Sequence, residues 1–146
     1  MCRSRRSYLE FRLLRSLENG ALILLNLNIL FMPFDEKLAD RVREIFADQS
    51  NVEEKRMFGG LCFMLNEKMC VCVRQDEIMC RFDPETYQPL LEKPGVRQMV
   101  HGNRVMKGYV YVEADSIRTS RELLYWINLA LKYNETAKVS LKRSKS

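Results

Sequence analysis

The side chains able to carry chemistry in this 146-residue chain are few and poorly spaced for it. The sole histidine, His101, lies in a polar turn with no nucleophile near it in sequence. Any Ser-His or Cys-His relay would have to use that one imidazole, and an exposed loop histidine is the simpler reading. Five cysteines (Cys2, Cys62, Cys70, Cys72 and Cys80) form no Cys-x-x-Cys pair. A structural zinc site needs four nitrogen or sulfur ligands in recognisable pairs, so no metal and no cofactor is expected. Four of these cysteines stand in apolar runs, where a thiol behaves as a small hydrophobe in a reducing cytosol. Thiols used for redox sensing would need exposure and a lowered pKa, which apolar neighbours do not suggest. Phosphate-binding loops and dinucleotide glycine motifs do not occur. The pair Glu53-Glu54 reads as a solvated face. No catalytic residue is assigned, and the chain is expected not to be an enzyme.

What remains are two cationic residues beside glycines, in Arg56-Met57-Phe58-Gly59-Gly60 and in Met106-Lys107-Gly108-Tyr109-Val110. The glycines can be read as geometry, a bulge or tight bend that a β-carbon would block, with Met57 in the core and Arg56 paired to an acid. Lys107 is then a solvated charge that discourages edge pairing. The functional reading makes Arg56, Met57, Phe58, Gly59, Gly60, Met106, Lys107 and Gly108 an interaction site. If the two motif strands lay side by side, Arg56 and Lys107 would form a small cationic site for a carboxylate or phosphate.

The elements that must position these residues follow from periodicity. Acids after Pro33 open a helix in which Leu38, Val42, Ile45 and Phe46 share one face, running to about Asp48. Four strand-like segments follow, near Val52–Phe58, Leu61–Leu65, Met69–Val73 and Ile78–Phe82, joined by short turns, hence an antiparallel meander. Met69-Cys70-Val71-Cys72-Val73 is apolar at both parities, so both faces of that strand need cover, from helices or a second subunit. This hints at a homodimer. Cys70 and Cys72, at i and i+2, should point to one face. A three-residue loop after Leu65 would pair Cys62 with Cys72, whereas a two-residue turn would put them on opposite faces.

Asp83-Pro84 reads as the start of a second helix ending near Glu92. Val96–Val100 is a possible strand and Gly108–Val112 an alternating one. Thr119 and Glu122 form a capping box that opens a last helix, with Leu123, Ile127, Ala130 and Leu131 on one face. Leu124 and Trp126 lie off that stripe, so the helix is either deeply buried or meets a partner. The expected class is α+β, one antiparallel sheet of about five strands with helices before, within and after it.

Charge is unevenly distributed. Residues 1–31 carry +3, residues 138–146 carry +4 from Lys138, Lys142, Arg143 and Lys145, and the body between them carries −2. A near-neutral body lacks the single-sign face of nucleic-acid domains, so nucleic acid would be engaged only through the basic tail, which composition predicts to be disordered. Residues 1–31 contain an arginine pair and an apolar run, yet no cleavage site follows and the run is too short to span a bilayer. They read as an upstream extension, such as a misplaced start codon, outside the fold.

The two glycine motifs, with the lead-in Asp35-Glu36-Lys37-Leu38-Ala39-Asp40-Arg41-Val42-Arg43, resemble the TfoX N-terminal domain family over about residues 32–137. The family comprises the amino-terminal module of TfoX/Sxy competence regulators and small stand-alone bacterial proteins. The resemblance implies an α+β fold and a cytoplasmic regulatory or protein-interaction module. In longer members a second helical domain follows. Here nine residues follow the body, so regulation of competence genes is not expected to carry over.

Overall fold

The computed structural model describes residues 34–139. The expectations for residues 1–31 and for the tail beyond Val139 lie outside those residues.

Helix α1 spans Glu36–Phe46. Asp35 caps it, its carboxylate accepting from the backbone N–H of Lys37 at 2.8 Å and Leu38 at 3.2 Å. Leu38, Ala39, Val42 and Phe46 are buried, and the helix stops two residues short of the expected Asp48.

Six strands form one antiparallel sheet: β1 (Val52–Met57), β2 (Gly60–Leu65), β3 (Lys68–Val73), β4 (Glu77–Arg81), β5 (Val96–His101) and β6 (Arg104–Glu113). Their spatial order is β1-β2-β3-β4-β6-β5. The class agrees with expectation, with one strand more than foreseen. Two of the hairpins close on turns with both central residues left-handed, Phe58-Gly59 (φ 54° and 69°) and Asn66-Glu67 (φ 52° and 64°). That backbone matches the right-handed twist of the flanking strands.

Between β4 and β5 the expected helix over 83–92 is not α-helical. Asp83 does organise a turn, accepting from the Glu85 N–H at 2.9 Å. Only a five-residue 3₁₀ helix follows, Gln88–Glu92. Pro89 is the reason: in an α-helix begun at Pro84 its ring would sit in the interior, where it removes a donor and clashes with the preceding turn. A second short 3₁₀ helix, Ala114–Ile117, leads to helix α2, Ser120–Asn134. Its capping box is complete: the Glu122 N–H donates to Thr119 Oγ1 at 3.2 Å, and the Thr119 N–H donates to Glu122 Oε2 at 2.9 Å.

The pairing register separates the two faces of the sheet, because directly paired residues share a face. One row reads Leu61–Val73–Ile78–Val112–Val96, and the next Phe63–Val71–Cys80–Val110. These rows meet the helices. Phe63 stacks on Phe46 of α1 at 5.3 Å between ring centroids, and Phe82 meets Trp126 of α2 at 5.9 Å. Arg41 ties α1 to the entry of α2, donating to the Ile117 carbonyl at 2.7 Å. The opposite face carries the row Cys62–Cys72–Met79–Tyr111.

Candidate functional site

The first glycine motif is a close-packed corner. Gly60 has no room for a β-carbon, which would lie 2.2 Å from the Val73 carbonyl oxygen. The Met57 carbonyl accepts from the thiols of Cys62 and Cys72, each at 3.6 Å. Phe58 and Gly59 make the left-handed turn, and Phe58 is exposed there. Arg56 is exposed and lies over the ring of Phe34, 5.9 Å from its centroid.

The second motif is an irregularity in β6. Pairing with β5 slips between Gln98 and Val100, so Met106 to Tyr109 leave the regular ladder. Gly108 takes φ +86°, and a β-carbon there would approach the Phe82 carbonyl oxygen to 2.6 Å. The carbonyls freed by the slip are satisfied by one side chain: Gln98 Nε2 donates to Met106 O at 2.8 Å and to Tyr109 O at 3.0 Å. The buried Tyr87 hydroxyl donates to Gln98 Oε1 at 2.9 Å, which fixes the amide's orientation. Lys107 is exposed at the apex.

The two motif strands do not lie side by side. β2, β3 and β4 stand between β1 and β6, four strand spacings or about 19 Å. The anion site shared by Arg56 and Lys107 is therefore not formed. What does reach a common place is their methionines: Met57 and Met106 both pack against the cluster of Cys62, Met69, Cys72, Met79 and Met99.

The cysteines also depart from the expected arrangement. The turn after Leu65 has two residues, Asn66 and Glu67, since Leu65 pairs with Lys68. By itself that would part Cys62 from Cys72. The register then shifts: Met64 pairs with Met69 but Phe63 pairs with Val71, leaving Cys70 as the extra residue of a bulge. The shift restores the Cys62–Cys72 pair and puts Met69 with Cys72 on the sulfur-bearing face. Cys70 is not part of that cluster, so the i, i+2 expectation fails for Cys70 and Cys72. All four described cysteines are free and buried. Burial pushes the Cys70 thiol up from 9.0 to about 12, against the pull of Arg81 and Lys68. Cys62 is raised by the Cys72 thiol beside it and by burial, and Cys80 by burial. Such thiols stay protonated at neutral pH and are poor nucleophiles.

Sequence reasoning missed one charged constellation. Glu77 is buried, its Oε1 3.0 Å from Arg74 and its Oε2 2.7 Å from Arg97. Both guanidinium groups stack on Tyr111, at 5.0 and 4.3 Å from its centroid. Burial raises the Glu77 carboxyl while the two arginines lower it. Arg97 and Tyr111 are cross-strand partners, a pairing that could be read only once β5 was known to border β6. An open depression of about 280 Å³ beside this group is lined by Asp76, Glu77, Arg97, Glu113 and Asp115. Its charged walls differ from the mostly apolar lining of small-molecule sites. Among the described residues no group of three or more His, Cys, Asp or Glu could hold a metal ion. No described helix is long and apolar enough to cross a membrane.

No curated protein and no solved structure gave a significant match to the chain. A family model did, that of the TfoX N-terminal domain, over residues 44–133, from within α1 through both glycine motifs to the end of α2. Those motifs build a corner and a stapled irregularity in one six-stranded sheet, and the chain belongs to the TfoX N-terminal domain family.

Proposed function

We propose that this protein is a non-catalytic regulatory module of the cytoplasm that acts by docking on another protein through the outer face of α2. The observation that carries this reading is the adjacent pair Leu124 and Tyr125, 42% and 43% exposed on a helix whose Trp126 and Ile127 are buried. Exposed apolar residues grouped on a rigid, well-capped element are the ordinary material of interface cores. Tyr125 is already held in place, edge-on to Trp126 at 5.3 Å and under Lys93 at 5.2 Å. A pre-organised aromatic anchor loses little entropy on binding. The Met57, Met106 and Tyr109 carbonyls of the family motifs support the same view, because they are engaged inside the fold.

The test is capture from a cell extract by the tagged full chain, against the Leu124→Glu/Tyr125→Glu variant, with light scattering of both. A partner retained by the unaltered chain and lost by the variant, with unchanged circular dichroism, supports the reading. A self-associated mass that falls to a monomer in the variant would make the partner a second copy. Equal capture by both proteins refutes docking through α2.

A further inference from the structure

The sheet face turned away from α1 and α2 is built largely from sulfur. Cys62 and Cys72 are directly opposed across β2 and β3, and both thiols donate to the same Met57 carbonyl, each at 3.6 Å. Met69, Met79 and Met99 are buried in the same cluster. Met57, Met64 and Met106 pack against it, so six of the eight methionines in the chain converge on two facing thiols. The thioethers alone would suit ordinary gap-filling, since methionine adapts to irregular space. Two thiols held in contact at the centre of them are a soft-ligand set.

We propose that this cluster binds a soft closed-shell monovalent cation, Cu(I), with the Cys62 and Cys72 sulfurs as thiolate ligands and a buried methionine thioether completing the shell. Ligand softness decides the cation: thiolate and thioether select Cu(I), while carboxylate, carbonyl and water suit harder ions. Structural zinc calls for four thiolate, imidazole or carboxylate ligands, and the cluster offers two. On binding, two Cys–S–H bonds break and two S–Cu bonds form. Two protons leave to solvent, no electron is transferred, and the site changes from neutral to a net charge of −1. The partly exposed thioethers of Met57, Met64 and Met106 give the cation a path inward by ligand exchange.

The test uses the reduced full chain carrying Cys2→Ser, titrated with Cu(I) in competition with bicinchoninate and, separately, with Ag(I) as a redox-inert probe. One equivalent should be withdrawn. Cys62→Ser/Cys72→Ser should lose at least a hundredfold in affinity, whereas Cys70→Ser/Cys80→Ser should keep it. As a readout that needs no altered ligand, the methyl resonances of Met69, Met79 and Met99 should shift with one equivalent of Ag(I). Absence of metal uptake overturns the proposal. So does uptake unaffected by loss of Cys62 and Cys72, or uptake that leaves those methyl groups unmoved.

Discussion

The two faces of the sheet are made from different material. The helix-covered face is Leu61, Phe63, Val71, Val73, Ile78, Val110 and Val112, branched or aromatic side chains with few rotamers. The other face is Cys62, Cys72, Met69, Met79 and Met99, flanked by Tyr109 and Tyr111. Stiff side chains specify one packing against α1 and α2. Flexible thioethers specify little but adapt to what they touch. Identity and position should therefore matter more on the first face than on the second.

The sharpest break of that contrast is Phe63→Ala, which removes the ring stacked on Phe46. It should cost about 3–5 kcal/mol of stability, read from urea denaturation. A cost below about 1 kcal/mol would mean that α1 is not seated on this face.

Alkaline pH probes the thiols on both faces. A thiol whose folded pKa lies above its unfolded value favours the folded state below the unfolded value, and the advantage is lost as pH rises between the two. For Cys70 that window runs from 9.0 to about 12. Its contribution to stability should fall by about 2–3 kcal/mol between about pH 9 and pH 11. Cys70→Ala should remove one share of that decline, and an identical pH profile in the variant would contradict the burial of Cys70.

A change beside the second motif tests how the irregularity in β6 is held. Gln98→Leu leaves the Met106 and Tyr109 carbonyls without their donor. The expected loss is about 1–3 kcal/mol, the cost of unsatisfied buried acceptors. Amide exchange localised to β5 and β6 should accelerate with it, and no change there would show that solvent serves those carbonyls equally well.

The smallest effect is expected on the sulfur face itself. Met79→Leu conserves volume and should cost less than about 1.5 kcal/mol. A loss as large as that of Phe63→Ala would erase the distinction between the faces. If stability holds while Cu(I) affinity drops, the thioether acts as a ligand rather than as filler.

Much of the architecture was legible from local pattern. Asp35 and the Thr119/Glu122 box announce both helices, because caps are short-range hydrogen bonds between residues a few positions apart. The meander β1 to β4 follows from consecutive apolar runs joined by short turns. The segment 83–92 misled for an equally local reason, since Asp83-Pro84 is a sound helix start and Pro89 vetoes the continuation. The Arg56/Lys107 site failed for a non-local one. Nothing within either motif records that β5 inserts at the outer edge and β6 returns beside β4, leaving three strands between the motifs. Gln98 was invisible in the same way, since its role exists only where the β5–β6 ladder slips.

The sequence by itself determined the class, the capping box of α2 and the family, because these depend on residues close together along the chain. The tertiary structure alone decided which residues share a face. A single bulge at Cys70 shifts the side-chain alternation of β3 by one position, and that shift brings Cys72 opposite Cys62 and Met69 beside it. With a period of two, one extra residue in a strand is enough to reassign everything that follows it.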